Sequence, residues 1–198
     1  KKVDASSTSS PAVRDALNSP LQTNGLTLSM FAAPFKGPAP KATLAIVAQF
    51  AGKGLVFTEK DGTFNNLVDM SYILVDSQGK VVAGNKDSIN MGLKPETYKR
   101  VMQVGFRLQA KVDVPPGRYS LRMAVHESGG RVGSVFADLV VPDFFKDPLT
   151  MSALAVTSAS AGQVPTAGES TLRGLLPSPP TTAREFSSKD ELAVLVEL

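Results

Sequence analysis

The stretch from residue 118 to residue 126 alternates apolar and polar side chains, and this period of two constrains the fold more than any other feature. Its apolar positions are Tyr119, Leu121, Met123 and Val125. Such alternation predicts a half-buried β-strand. The sequence Ser128-Gly129-Gly130 then allows a chain reversal, and a second apolar run follows up to residue 144. Together these features predict a β-hairpin.

The entry to this hairpin, Pro115-Pro116-Gly117, is a corner that turns the chain into the first strand. Tyr119 follows directly after the corner. In immunoglobulin-like sandwiches a tyrosine in such a place bonds its hydroxyl to nearby backbone. We therefore predict a structural role, rather than a chemical one, for Pro116, Gly117 and Tyr119.

Further strands are predicted at the spacing typical of an all-β domain. The predicted segments are residues 25–33, 41–51, 67–76, 80–84 and 98–113, followed by the two hairpin strands. This pattern predicts an immunoglobulin-like antiparallel β-sandwich of about seven strands, with a short N-terminal helix and a loop-rich C-terminal tail. A closed barrel is the alternative architecture, because counting strands does not establish closure.

The predicted organisation has four parts. Residues 1–20 form a lead-in with a short helix, in which Ser10 is the N-cap and Pro11 the first helical residue. Residues 21–145 form the sandwich, and residues 146–184, rich in small residues and proline, form a linker or long loop. Residues 185–198 carry a terminal strand that is apolar on both faces. It either begins a second β-domain that is cut short or returns to pair with the first sheet.

Composition excludes several classes of function. The chain has no cysteine and one histidine, so thiolate metal sites, cysteine nucleophiles and histidine clusters are impossible. A net charge of +3 from scattered basic residues lacks the concentrated stripe that nucleic-acid binding requires. No apolar run approaches the roughly 20 residues that span a bilayer. The sequence predicts no cofactor and no nucleic-acid partner, and it leaves the oligomeric state open.

Four local features imitate functional motifs. Asp4-Ala-Ser6-Ser-Thr8 resembles part of a metal-binding loop, but no buried strand precedes it. Gly52-Lys53-Gly54 lacks the third glycine and the helix of a phosphate loop, and a strand-end turn is favoured. His126 lies in the polar phase of its strand, so a solvent-facing position is favoured. The last feature is a set of carboxylates in turn-like contexts, Asp61, Asp76, Asp87 and Asp143.

Several phrases occur in the order found in a known group of proteins. They are Ala16-Leu-Asn-Ser-Pro20, Val114-Pro-Pro-Gly-Arg-Tyr-Ser-Leu-Arg122, Gly133-Ser-Val135, Val141-Pro-Asp-Phe144, and Ala183-Arg-Glu-Phe186 with Leu192-Ala-Val-Leu-Val-Glu197. This order resembles the region after the von Willebrand A domain in exported, chiefly acidobacterial, von Willebrand A-related proteins. The resemblance implies an upstream adhesion domain and a place in the periplasm or at the cell surface. It implies no active site.

These observations together predict a non-catalytic accessory or interaction module of an exported multidomain adhesion-type protein. Its predicted partner is the upstream von Willebrand A-type domain or another protein. The outward phase of the second hairpin strand holds Phe136 and Val140, which we predict to contact the tail or a neighbouring domain. A carbohydrate-binding sandwich and a hydrolase-associated domain are the alternatives; the first requires an exposed aromatic platform and the second requires converging carboxylates.

Overall fold

The computed structural model describes residues 10–168 and 170–198. Two α-helices and ten strands make up most of the regular structure of these residues. In chain order they are α1 (Pro11–Asn18), β1 (Leu28–Lys36), β2 (Ala42–Phe50), β3 (Thr58–Lys60), β4 (Thr63–Asp76), β5 (Val81–Leu93), α2 (Pro95–Val104), β6 (Phe106–Val114), β7 (Gly117–Glu127), β8 (Val132–Val141), β9 (Ala155–Ser158) and β10 (Leu192–Leu195).

The strands form a β-sandwich, as the sequence predicts. One sheet has the order β1-β2-β6, and the other joins β3, β4, β7 and β8, with β5 on the free side of β4. Every pairing between these strands is antiparallel. The predicted hairpin is β7–β8, in which Met123 lies opposite Val135. The main core lies between the two sheets and includes the stacked rings of Phe50 and Phe106, whose centroids are 4.5 Å apart.

The N-terminal helix α1 covers the outer face of the larger sheet. The Ser10 hydroxyl accepts a hydrogen bond from the Val13 N–H at 3.4 Å, and Pro11 is the first helical residue, as predicted. Because Val13, Ala16 and Leu17 lie on one side of the helix, they are buried together against Ile73 and its neighbours in the sheet. No helix in the part of the chain that the structure describes is long and apolar enough to cross a bilayer.

The predicted strand over residues 98–113 is wrong in its first half, where the structure has α2. The apolar alternation at Met102, Val104, Phe106 and Leu108 crosses two elements. Its first two residues end the helix α2 and its last two begin the strand β6, so the regular spacing is a coincidence. Pro95 begins the helix, and Gly105 ends it at a φ of 75°. An added Cβ at Gly105 would lie 1.9 Å from the Phe50 carbonyl oxygen, so this position requires glycine.

Two other strand boundaries differ from prediction. The strand predicted over residues 80–84 continues to Leu93 as β5, although most of its side chains are polar and exposed. Its pairing with β4 stabilises it, rather than an amphipathic pattern of its own. The strand β1 is predicted to end at residue 33, but it continues through Pro34 to Lys36. Proline is tolerated there because β1 lies at the edge of its sheet.

Residues 146–168 and 170–198, which we call the C-terminal layer, cover the outer face of the three-stranded sheet. Leu172, Leu176 and Ala155 are buried there against Phe31, Phe35 and other side chains of β1 and β2. Most of residues 146–184 is irregular, as expected of a long loop, but the segment packs and does not act as a free linker. The strand β10 pairs with β9 inside this layer. The segment 185–198 therefore pairs within this chain, by way of β9 rather than the first sheet.

Candidate interaction surface

Phe136 contacts a different part of the chain from the part predicted. Its ring lies under the Arg122 guanidinium, 4.9 Å from the ring centroid, and its N–H donates to the Gln22 side chain. Arg122 also donates to the Leu17 carbonyl at 3.1 Å, at the C-terminal end of α1, where a cation is favourable. The half-buried ring thus helps to hold α1, and the predicted contact with a neighbouring domain stays a prediction. Val140 is 63% exposed.

The corner before β7 is held by Tyr119. The Tyr119 hydroxyl donates a hydrogen bond to the Pro115 carbonyl at 2.8 Å. A Cβ added at Gly117 would lie 3.3 Å from that hydroxyl oxygen, so glycine lets the ring pack over the corner that Pro116 begins. Burial and the nearby Asp76 carboxylate raise the pKa of Tyr119. The hydroxyl therefore stays protonated and acts as a donor.

We expect Tyr119→Phe to lower the free energy of unfolding by about 1 kcal/mol, because the Pro115 carbonyl loses its donor. Urea denaturation followed by circular dichroism measures the change. Tyr98→Phe is the matched control, since no hydrogen bond of the Tyr98 hydroxyl is found among the described residues. A loss at Tyr119 no larger than the loss at Tyr98 contradicts this account of the corner.

The residues that imitate functional motifs make structural contacts where the structure describes them. Gly52 starts a 3-10 turn after β2, and an added Cβ would lie 1.9 Å from the Val101 carbonyl oxygen, so α2 packs directly on this glycine. Asp76 caps the β4–β5 turn by accepting hydrogen bonds from two N–H groups at 2.9 Å. His126 is half-buried at the end of β7. The loop at Asp4 lies outside the described residues. Within residues 10–168 and 170–198, no cluster of potential ligands is placed to hold a metal ion.

Glu127 is a buried carboxylate that the sequence analysis overlooked. It is 0% exposed and accepts hydrogen bonds from the Asn66 amide at 2.8 Å and from the N–H groups of Val56 and Arg131. Burial alone would raise the pKa of Glu127, but these bonds and one from the Gly129 N–H outweigh it and lower the pKa. Because all these donors belong to the protein itself, the carboxylate joins the β7–β8 turn to the loop before β3.

An aromatic cluster lies at one end of the sandwich, but it does not form a sugar-binding platform. Phe64 and Tyr98 are stacked at a centroid distance of 3.9 Å with planes 4° apart, and Phe57 meets Tyr98 edge to face at 5.3 Å. All three rings are half-buried. A carbohydrate platform presents ring faces side by side to solvent, whereas here Phe64 and Tyr98 each cover a face of the other. The cluster joins α2 to the larger sheet.

A shallow cleft of about 470 Å³ lies between residues 158–164 and 181–190 of the C-terminal layer. Its main charged group, Asp190, accepts hydrogen bonds from the N–H and hydroxyl of Ser160, which lower the pKa of Asp190. The remaining lining includes the charged residues Glu185 and Lys189, small polar side chains, and Phe186. The Ser160 hydroxyl and the Asp190 carboxylate are hydrogen-bonded to each other, so both groups are already partnered within the C-terminal layer.

The outer face of the β9–β10 ribbon groups several exposed apolar side chains from two paired strands. We call it the ribbon face and define it by Leu154, Val156, Leu192, Val194 and Val196. Leu192, Val194 and Leu154 are between 51% and 59% exposed, and Val156 lies directly opposite Val194. In the other phase of the ribbon, Leu195 and Ala155 pack against the three-stranded sheet. The apolar run of residues 192–196 predicts an internal strand, whereas in the structure one face of this strand is exposed.

Three further apolar side chains of the C-terminal layer, close in sequence to β9 or β10, are 60% to 79% exposed. They are Leu149, Met151 and Leu198. Single exposed apolar residues are common on protein surfaces. Grouped ones, as on the ribbon face, are typical of interaction sites. The ribbon face is therefore the candidate interaction surface.

Comparisons with known proteins show similarity in solved structures only. No protein-family model matches the chain, and no curated protein matches it significantly. A Bordetella pertussis protein that carries the provisional name ApaA is similar at a TM-score of 0.37 and 13% identity, over 61% of this chain and 95% of that chain. The Northeast Structural Genomics Consortium target SoR45 is similar at a TM-score of 0.37 and 9% identity, over 65% of this chain and 95% of that chain. Similarity at this level gives no information about activity.

Proposed function

We propose that this chain is a non-catalytic interaction module of an exported multidomain adhesion-type protein. The observation that carries the proposal is the ribbon face, where apolar side chains from two paired strands are grouped and exposed. Covering them with a partner removes apolar surface from water, which is worth about 25 cal/mol for each Å². The sandwich supplies rigidity, because the ribbon is fixed to the three-stranded sheet by Leu195 and its neighbours.

The resemblance to von Willebrand A-related proteins supports the wider part of the proposal. It implies an adhesion domain upstream, a position outside the cytoplasm and no family active site. In this arrangement the module binds a protein partner through the ribbon face, while α1 and the larger sheet connect it to the preceding domain. The catalytic and carbohydrate-binding alternatives gain no support from the cleft at Asp190 or from the stacked rings at Tyr98.

Site-specific photo-crosslinking tests the proposal. We expect a benzophenone side chain at position 194 to give a discrete protein adduct in intact cells that express the full-length protein. Position 82, which is 40% exposed on β5, is the matched control, because it also replaces an exposed strand valine. The adduct is measured by gel shift and mass spectrometry.

A second substitution tests whether the contact is specific. Leu192→Asp places a charge on the ribbon face next to position 194, and it should abolish the adduct while leaving the thermal midpoint within about 2 °C, since Leu192 is half exposed. Equal adducts from positions 194 and 82, or no adduct from position 194, would argue against the ribbon face as the contact surface.

A further inference from the structure

The outer edge of β10 exposes unpaired backbone groups. The Ala159 N–H donates to the Glu191 carbonyl at 3.0 Å, and the Ser152 N–H donates to the Glu197 carbonyl at 2.8 Å. Because hydrogen bonds alternate along an antiparallel strand, the odd-numbered residues of β10 face β9. The N–H and C=O groups of Leu192, Val194 and Val196 therefore face away from β9. Among the described residues, none of these groups has a hydrogen-bond partner.

Three other sheet edges, those of β8, β6 and β5, are covered or carry charge. The edge of β8 is covered by residues 22–26, as in the hydrogen bond from the Leu26 N–H to the Val132 carbonyl. The edge of β6 is covered at Arg107, which exchanges hydrogen bonds with Pro165 and Ala167. The long edge of β5 carries Lys86 and Asp87 near its middle, and central charges protect an edge from pairing. The β10 edge is open and has no charge between residues 192 and 196.

Acidic side chains flank this open edge at both ends. Glu191 precedes the apolar run and Glu197 follows it, six positions later in the same strand phase, and both side chains are exposed. One oxygen of the Glu197 carboxylate accepts a hydrogen bond from the Lys36 N–H at 2.9 Å, but the carboxylate keeps its negative charge. Asp190 adds a third carboxylate at the first end, and Lys189 is the nearest cation in sequence. A strand added here would place its own residues opposite both glutamates, so basic residues at those two positions are favoured.

We propose that β10 receives an extended partner segment as a third, antiparallel strand of the ribbon. Its pattern is basic, apolar, any, apolar, any, apolar, basic. The apolar positions extend the ribbon face, the basic positions face Glu197 and Glu191, and the backbone bonds to Leu192, Val194 and Val196. This inference rests on the proposed function, because it names the kind of partner that the ribbon face binds.

A second copy of this chain fits the edge less well. The two-fold antiparallel pairing that matches all the apolar positions places Val194 opposite its own equivalent and Leu192 opposite Val196. The same register places Glu191 opposite Glu197 twice. Like charges directly across a strand pair are destabilising, so a partner with basic flanks is favoured over self-association.

Synthetic peptides test this pairing on the full chain. We expect the capped peptide Lys-Val-Thr-Val-Thr-Val-Lys to bind, as measured by calorimetry and by chemical-shift changes confined to the ribbon. The version with glutamate at both ends should bind roughly tenfold more weakly, since two cross-strand pairs change sign. Glu191→Lys in the chain should weaken the first peptide and strengthen the second, whereas Asp87→Lys on the β5 edge should change neither.

Backbone methylation separates strand addition from a general apolar contact. N-methylation at the three valines, whose N–H groups would face β10, should weaken binding by about a hundredfold, because three hydrogen bonds are lost. The N–H groups of the two threonines face away from β10. N-methylation of both threonines should therefore change the affinity by no more than about threefold, because no hydrogen bond to β10 is lost.

Equal binding of the two end-charge versions, equal loss from both methylation patterns, or no binding at millimolar peptide would overturn the inference. So would a dimer in solution that Val194→Asp dissociates, since a second copy would then occupy the edge. If the peptides fail while the adduct from position 194 persists, only the strand-addition inference is wrong. If the adduct is absent as well, the proposed function falls with it.

Discussion

Replacing Glu127 by alanine should lower the free energy of unfolding by about 3–5 kcal/mol, a large effect for a single polar residue. The side chain is fully buried, and its carboxylate is the acceptor for the Asn66 amide and for the N–H groups of Val56 and Arg131. Alanine removes hydrogen bonds to a carboxylate from the buried Asn66 amide and from the part-buried N–H groups of Val56 and Arg131, and such bonds are worth about 1.5–3 kcal/mol each. Chemical denaturation at neutral pH measures the loss.

The effect should also depend on pH in a defined direction. The pKa of Glu127 lies below its ordinary value of 4.5, so the native state favours the ionised form. Its contribution is therefore fully present above the ordinary pKa and is lost as the pH falls through the lowered, folded-state pKa. The difference in stability between the wild type and Glu127→Ala should accordingly shrink in acid.

Two controls separate the buried carboxylate from charge in general. Glu127→Gln keeps one acceptor oxygen and the shape of the side chain, so it should lose less stability than Glu127→Ala. Glu59→Ala removes an exposed glutamate from β3 and should change stability by no more than about 0.5 kcal/mol. If Glu127→Ala loses less than about 1 kcal/mol at neutral pH, the hydrogen bonds to Glu127 do not hold the β7–β8 turn in place.

The sheets could be predicted from the sequence where one face of a strand meets the core. In β7, Tyr119, Leu121, Met123 and Val125 are all buried on the face that the alternation selects. The strand β4 follows the same rule. In both, the period of two reflects burial against the main core, although Ile73 of β4 and Ala124 of β7 are also buried on the opposite face, under α1.

Prediction failed where tertiary contacts, rather than pattern, decide the structure. The strand β5 is exposed along most of its length and is held by pairing with β4. The helix α2 was identifiable from its ends, because Pro95 and Gly105 stand at a typical helix start and stop. The alternation from Met102 onward outweighed those two residues in the sequence analysis, although it crosses the boundary between the helix and β6.

The C-terminal layer was missed because its composition resembles that of a linker. Leu172, Leu175 and Leu176 show no regular apolar pattern in this segment, and they pack because the outer face of the three-stranded sheet is apolar too. That second face was visible in the sequence: Ala45 and Val47 lie in the phase of β2 opposite to Leu44 and Ile46. A strand that is apolar in both phases requires cover on both sides. The ribbon face exists because the C-terminal layer packs on this sheet. It could therefore not be predicted without first predicting the layer.

Replacing Arg107 by methionine should destabilise the protein by about 2–3 kcal/mol and release part of the C-terminal layer. The Arg107 side chain is 2% exposed, and its guanidinium donates to the carbonyls of Val164, at 2.8 Å, and Ala161. Burial lowers the pKa of Arg107, which is an energetic cost of holding this cation inside. Methionine removes that cost but leaves the Val164 carbonyl without its side-chain donor. We expect the second effect to be larger, because methionine supplies no replacement donor.

Hydrogen exchange and two control variants show where the stability is lost. Arg100 donates from an exposed position to Gln163 in the same loop, so Arg100→Met should cost less than about 1 kcal/mol. Arg107→Lys keeps the charge but lacks the planar fork that reaches two carbonyls, and it should fall between the wild type and Arg107→Met. Faster exchange at Ala167, which bonds to Arg107, with unchanged exchange at Leu74 in the core, would mean that the layer opens on its own. Equal acceleration at both would make the layer part of one cooperative unit, and no acceleration at Ala167 would contradict the anchoring role of Arg107.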